Sequence, residues 1–92
     1  MDLSIVIVSW NTRILLNDCL KSIYENTKKH SFEIFVVDNN SPDLSADMVR
    51  KEFPNVNLIY NTDNLGFAPA NNQALKIATG DNILLLNPDT VV

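Results

Sequence analysis

Short apolar runs alternate with segments of helical periodicity along the whole chain, and this alternation limits the folds open to it. The runs are rich in isoleucine, valine and leucine, as strands covered on both faces are. The predicted strands are 3–9, 32–38, 56–60 and 82–86. Helices are predicted from Asn11 or Thr12 to about Thr27, from Asp43 or Ser45 to Phe53, and over 70–79, where Gly80 ends the last helix.

The order β-α-β-α-β-α-β predicts an α/β fold with a three-layer, mostly parallel open sheet and right-handed crossovers. We expect the first strand near the centre, the second and third strands on one side and the fourth on the other. The strand order is then 3-2-1-4. Ligands of such sheets bind at the carboxyl ends of the strands, where the strand order reverses. The predicted binding crevice therefore lies between the first and fourth strands.

The composition excludes several classes of function. A formal net charge of −4 argues against a nucleic-acid-binding surface. Neither glycine lies in a dinucleotide fingerprint or a P-loop motif. The single Cys19 cannot form an internal disulfide and is predicted to be a buried thiol, which fits a reducing compartment.

The chain also lacks the sequence features of export and membrane insertion. Its N-terminus has no basic signal-peptide region, and no apolar run approaches the roughly 20 residues of a membrane span. We expect a cytoplasmic protein, or a peripheral protein at the inner face of the membrane in its full-length form.

Polar residues that follow the first two strands are candidates for ligand binding. Asp38 ends the second strand, where its carboxylate either binds a base or ribose or stabilises its own turn. Trp10, in the loop of Ser9 to Asn11, either packs on a base or covers the sheet edge, and the second role is slightly favoured. Gly66 either allows a ligand close to the backbone or serves a turn.

Asp89 is the strongest candidate for a metal ligand. It follows the fourth strand after Asn87 and Pro88, and the proline turns the chain away from the sheet. Hard cations such as Mg²⁺ or Mn²⁺ bind one or two protein carboxylates together with substrate phosphates. His30 has no partner with which to form a metal site or a catalytic triad.

Four segments together resemble the N-terminal half of a family 2 glycosyltransferase with the GT-A fold. They are residues 3–11 (LSIVIVSWN), 36–43 (VVDNNSPD), 64–72 (NLGFAPANN) and 85–90 (LLNPDT). The Asn-Pro-Asp-Thr sequence is most similar to bacterial rhamnosyltransferase-like members that build surface polysaccharides.

This resemblance implies binding of a nucleotide-diphosphate sugar, such as a UDP- or dTDP-sugar, for transfer to a glycan or lipid-linked acceptor. The implied donor-binding residues are Ser9, Trp10, Asn11, Asp38, Asn40, Asn64 and Gly66, with Asp43 at the border of the pocket. Asp89 corresponds to the last carboxylate of the family's Asp-x-Asp metal motif, and Asn87 replaces the first. The implied cofactor is Mg²⁺ or Mn²⁺.

The resemblance also implies that, as in inverting members of the family, a carboxylate base and the acceptor-binding region lie beyond the metal motif, so no catalytic residue is assigned. Residues 1–92 are therefore expected to form a single partial domain, the donor-binding half, that does not transfer sugar alone. The fourth strand is expected at an exposed edge, and a homodimer is predicted through that edge or an uncovered apolar face. Two alternatives are a receiver-like or flavin-binding module and a non-catalytic α/β interaction module.

Overall fold

The computed structural model describes residues 1–90, which alternate between strands and helices throughout. The strands are β1 (Leu3–Ser9), β2 (Phe32–Asp38), β3 (Asn57–Tyr60) and β4 (Asn82–Leu86). The helices are α1 (Arg13–Asn26), α2 (Ser45–Glu52) and α3 (Phe67–Leu75). The four strands form one parallel sheet in the order β3-β2-β1-β4, so the predicted fold class and strand order are confirmed.

Two apolar clusters hold the three layers together. The first lies between the sheet and the helices α1 and α2, and it includes the fully buried Cys19, as predicted. The second lies between the sheet and α3, where Ala70 and Ala74 are completely buried. Alanine at these two positions lets α3 pack closely on β1 and β2. The β-branched residues of the central strands fill both clusters, which explains their unbroken apolar sequence.

The third helix lies earlier in the chain than predicted. Instead of spanning 70–79, it begins at Phe67 and ends at Leu75, with Gly66 at its N-cap position. Pro69 lies in the first turn, where no intrahelical N–H donor is required, so the proline does not delay the start of the helix. Gly80 does not end α3, and the contacts of Gly80 are with β1 instead.

The fourth strand lies at an edge of the sheet, as expected, but it is not buried as its apolar sequence indicates. Ile83, Leu84 and Leu85 are 48%, 40% and 49% exposed. Within residues 1–90, β4 pairs only with β1, and the main contacts of α3 with the sheet are to β1 and β2. None of the helices in the same range is long and apolar enough to span a bilayer.

A glutamate joins the amino ends of the central strands to the segment before β4. The Glu33 carboxylate accepts hydrogen bonds from Ser4 Oγ at 2.6 Å, the Thr79 N–H at 2.7 Å and Thr79 Oγ1 at 3.0 Å. Burial alone would raise the pKa of Glu33, but these hydrogen bonds, with the nearby N-terminal charge, lower it below its usual value.

Replacing Glu33 with glutamine should therefore lower the free energy of unfolding at neutral pH by about 1–2 kcal/mol, the usual size of a lost charge-assisted bond. Because the folded-state pKa is lowered, the carboxylate's contribution is present above its ordinary pKa and is lost as the pH falls through the lowered value. Urea unfolding of wild type and Glu33→Gln between pH 3 and pH 7 checks this. The exposed Glu25→Gln provides a control, and equal stabilities at pH 7 would contradict the prediction.

Candidate functional site

The candidate site begins where the carboxyl ends of three neighbouring strands meet. The sheet register places Ser9 beside Asp38, and Asp38 beside Tyr60. The Asn39 N–H donates to the Ser9 carbonyl, and the Asn61 N–H donates to the Asp38 carbonyl, each at 2.9 Å. The polar residues that follow β1, β2 and β3 therefore lie along one edge of the sheet.

Asp38 is buried at this edge, with 1% of its surface exposed. Its carboxylate accepts the Ser41 N–H at 3.0 Å and the Ser41 hydroxyl at 2.6 Å. This arrangement is the turn-stabilising role, one of the two roles that the sequence leaves open. Each carboxylate oxygen can accept a further hydrogen bond, which leaves room for a base or ribose. Contact with such a group stays a prediction.

Ser41 connects the loop after β1 to the loop after β2. Its hydroxyl accepts the Asn11 N–H at 2.9 Å while it donates to Asp38. Asn11 and Asn40 have φ of 54° and 62°. Asparagine adopts this left-handed conformation more readily than most residues, which accounts for its use at both positions. Ser41 was not a predicted site residue, and only its place in a dense turn sequence pointed to it.

Asp43 serves the N-termini of two helices. Its Oδ2 accepts the Arg13 N–H of α1 at 2.9 Å. Its Oδ1 accepts the Ser45 N–H of α2 at 3.1 Å and the Ser45 hydroxyl. Burial alone would raise the pKa of Asp43, but these hydrogen bonds lower it. The N-cap residue of α2 is Leu44 rather than the predicted Asp43 or Ser45, but Asp43 still satisfies the N–H of the first helical residue, Ser45.

Thr12, one of the two residues predicted to cap α1, occupies the N-cap position, but its side chain makes no capping hydrogen bond. Its hydroxyl is hydrogen-bonded to Ser9 Oγ at 2.9 Å instead. The Asp43 carboxylate takes the place of a local cap through its bond with Arg13, which lies 30 residues away in sequence.

A cluster of side-chain amides holds the loop before α3 against the end of β2. Asn39 Nδ2 donates to the Gly66 carbonyl at 3.1 Å, and Asn61 Nδ2 donates to Asn39 Oδ1 at 2.9 Å. Asn61 and Gln73 exchange two hydrogen bonds, at 2.8 and 2.9 Å. Sequence reasoning missed Asn39, Asn61 and Gln73. The only signal for the two asparagines was the abundance of that residue after the strands, and Gln73 had no signal.

The remaining predicted donor-binding residues line the rim of the site. Trp10 is 49% exposed, and Asn40, Asn64 and Gly66 are also exposed. Asn40 Oδ1 accepts the Tyr60 hydroxyl at 3.1 Å, and Asn64 Oδ1 accepts the Gly66 N–H at 2.9 Å. These residues therefore share an edge with Asp38 and remain accessible to a ligand.

The predicted metal ligands follow β4, on the other side of β1. Asn87 and Asp89 are exposed, and the Thr90 N–H donates to the Asn87 carbonyl at 3.1 Å to close the turn between them. Burial, and then the Asp89 charge, raise the pKa of the Cys19 thiol. Residues 1–90 contain no cluster of three acidic, histidine or cysteine side chains that could hold a metal ion. The oxygen donors of Asn87 and Asp89 fit a hard cation whose other ligands are water and phosphate.

A surface pocket of about 770 Å³ lies beside this edge, between the start of α1 and α2. Its lining includes Asn11, Arg13, Ile14, Lys21 and Asp43. Of the residues predicted to bind the donor or to border its pocket, this pocket contains Asn11 and Asp43. The pocket and the strand-end site therefore adjoin at the loop after β1 but are different surfaces.

Residues 4–92 match the family described as Glycosyl transferase family 2. The poly(ribitol-phosphate) beta-glucosyltransferase of Bacillus spizizenii is 38% identical over the whole chain, which covers 15% of that enzyme. Two solved structures, each 28% identical, superpose on 97% of this chain. They are S. aureus TarS 1-349 in complex with UDP, with a TM-score of 0.86, and the mannosyltransferase PcManGT from Pyrobaculum calidifontis in complex with GDP-Man and Mn²⁺, with a TM-score of 0.85. The chain covers 28% of each of these structures.

Proposed function

This chain belongs to glycosyl transferase family 2, and from this premise we propose that it binds a nucleotide-diphosphate sugar as the donor-binding half of a glycosyltransferase. The observation that carries the proposal is the convergence of three loops at the carboxyl edge of the sheet. Ser41 joins the first two loops and Asn39 joins the second to the third. Such an edge is the usual ligand site of an open parallel sheet.

The nucleoside is proposed to lie over β1 and β2. Asp38 accepts a hydrogen bond from the base or ribose there, while Trp10 and the exposed side chains of Asn11, Asn40 and Asn64 surround it. The space beside Gly66 is open, since a Cβ at this position would meet no protein atom within 4 Å, and we propose that the ligand approaches the backbone there. We favour UDP or dTDP as the nucleotide, and the complex of TarS with UDP supports that choice. The complex of PcManGT with GDP-Man makes GDP the alternative to test.

The diphosphate is proposed to lie near β4, with Mg²⁺ or Mn²⁺ held by Asp89 and Asn87. A bound cation would neutralise the charge that develops on the diphosphate leaving group. Asp89 supplies a carboxylate oxygen and Asn87 an amide oxygen. Because Asn87 replaces a carboxylate, we expect weaker metal binding than at a site with two acids.

The full-length protein is proposed to transfer the sugar to a glycan or lipid-linked acceptor in polysaccharide biosynthesis, in the cytoplasm or at the inner face of the membrane. The rhamnosyl subtype stays a prediction, as does the inactivity of residues 1–92 alone. We also propose a homodimer through the exposed β4 edge or its apolar faces. Analytical ultracentrifugation tests this, and a monomer at high protein concentration would contradict it.

A thermal-shift titration with UDP, dTDP, GDP and ADP, each with and without Mn²⁺, tests the donor site. A nucleotide at about 100 times its Kd should add about 2.7 kcal/mol of stability and raise Tm by several degrees. We expect a metal-dependent shift with one nucleotide class. It should be lost in Asp89→Ala and retained in Asp81→Ala, an exposed aspartate just before β4. The absence of any shift would contradict the proposal and favour a non-catalytic interaction module.

A further inference from the structure

Asn71 is a buried polar residue whose side chain none of the contacts above explains. It lies in α3 and is 5% exposed. Its side-chain amide makes no hydrogen bond within residues 1–90, although every fully buried side-chain nitrogen or oxygen in that range has a partner. The small exposed part of Asn71 must therefore include its amide. Asn71 is thus held in place by its nearly complete burial, while its amide stays free to donate to and accept from a ligand at the surface.

The helical repeat shows which way Asn71 faces. Gln73 contacts Asn61, just after β3, so that flank of α3 faces β3. Two residues along an α-helix correspond to about 200° of rotation, which places Asn71 on the opposite flank. Since the strand order is β3-β2-β1-β4, that flank faces β1 and β4.

The last residue pair of β4 shows which of its side chains face α3. Leu86 packs on the cluster beneath α1 and α2, so the alternation of the strand turns Leu85 toward the α3 side, and Asn87 follows directly after the strand. Both of these residues are exposed. The Asn71 amide thus opens toward the crevice beside the end of β4, where the proposed diphosphate lies.

We propose that Asn71 is a specificity-determining residue that hydrogen-bonds the hydroxyls of the sugar in the nucleotide-diphosphate sugar. This inference rests on the proposed function. A neutral amide both donates and accepts, and so does a sugar hydroxyl, whereas a diphosphate only accepts. The position of Asn71 on the β4 side, away from Asp38 on β2, fits the sugar-diphosphate end of the donor rather than the base.

The test compares the Kd of a nucleoside diphosphate with the Kd of its sugar nucleotide, by calorimetry in the presence of Mn²⁺. The probe pairs are UDP with UDP-glucose, UDP with UDP-N-acetylglucosamine, dTDP with dTDP-glucose, and GDP with GDP-mannose. Asn71→Leu should weaken binding of the preferred sugar nucleotide about five- to tenfold, since one or two neutral hydrogen bonds are lost. Its Kd for the diphosphate alone should stay within about twofold of wild type.

Two further measurements separate this role from a structural one. Asn71→Leu should not lower Tm, because the amide has no partner to lose within residues 1–90. Asn72→Ala, at an exposed neighbouring position, should leave every Kd unchanged. Wild-type sugar-nucleotide affinity in Asn71→Leu would overturn this inference alone, and so would equal weakening of both ligands. Failure of wild type to bind any of the probes would overturn the proposed function as well.

Discussion

Gly80→Ala should lower the free energy of unfolding by about 3 kcal/mol, in the range found for overpacked cores. A Cβ at residue 80 would lie 2.6 Å from Ser4 Oγ and 2.7 Å from the Leu3 carbonyl carbon, and it would also clash with the Ser4 backbone nitrogen. Ser4 is completely buried in β1, one of the two inner strands, so displacing its backbone would disturb strand pairing on both sides. The Gly80 N–H also donates to Ser4 Oγ at 2.7 Å, a bond that the displaced segment would lose.

Urea unfolding of Gly80→Ala and Gly66→Ala checks this prediction. Gly66 has φ of 82° and ψ of 177°, a conformation nearly restricted to glycine, but open space surrounds its Cβ position. Gly66→Ala should therefore cost about 1–2 kcal/mol through backbone strain alone. A Gly80→Ala protein as stable as Gly66→Ala, or more stable, would show that the contact with β1 is not as tight as described.

Asp38→Ala should abolish most nucleotide binding and lower the free energy of unfolding by about 2–3 kcal/mol. The substitution removes both carboxylate oxygens that accept from Ser41, so the Ser41 N–H and hydroxyl hydrogen lose their acceptors beside a buried cavity. It also releases the loop that Ser41 fixes through the Asn11 N–H. If Asp38 contacts the base or ribose as proposed, Kd should rise about 10- to 100-fold, the effect of a lost charge-assisted hydrogen bond.

Ser41→Ala is the matched control for Asp38→Ala. It keeps the Ser41 N–H bond to Asp38 and removes only the hydroxyl that joins the two loops. Calorimetric titrations should show an intermediate loss of affinity in Ser41→Ala. Wild-type affinity in Asp38→Ala, once its folding is verified by circular dichroism, would show that Asp38 only stabilises its turn.

The sheet could be predicted from the sequence because its strands are marked by local apolar runs and separated by helices long enough for parallel crossovers. The exposure of β4 could not be predicted from the apolar run itself, since a leucine-rich run reads the same at an edge and at the centre. The start of α3 lies three residues before the predicted one, because the first turn of the helix accommodates Pro69. The position of Gly80 in the sequence is likewise typical of a helix C-terminus. In the structure, however, the absence of a side chain allows Gly80 to pack closely against β1.

The shared edge of the candidate residues could be predicted from the sequence, but the contacts that organise them could not. Asp38, Asn11 and Asn64 follow predicted strands, so their shared edge follows from the parallel sheet. The bonds that organise them join distant residues: Ser41 to Asn11 over 30 positions, and Asn39 to Gly66 over 27. Such contacts depend on how the loops meet in three dimensions, and no local pattern encodes them. The burial of Asn71 likewise depends on which flank of α3 faces the sheet.

The measurement that tests the central claim most directly is a nuclear magnetic resonance titration of the ¹⁵N-labelled protein. UDP, dTDP or GDP is added with Mg²⁺, and a trace of Mn²⁺ is then used to broaden resonances near the metal. We predict chemical-shift changes at 9–11, 38–41 and 64–66 and broadening at 87–90, with Glu33 and Gly80 at the opposite edge unaffected. The absence of shifts at saturating nucleotide, or shifts confined to the pocket between α1 and α2, would contradict a donor site at the carboxyl edge.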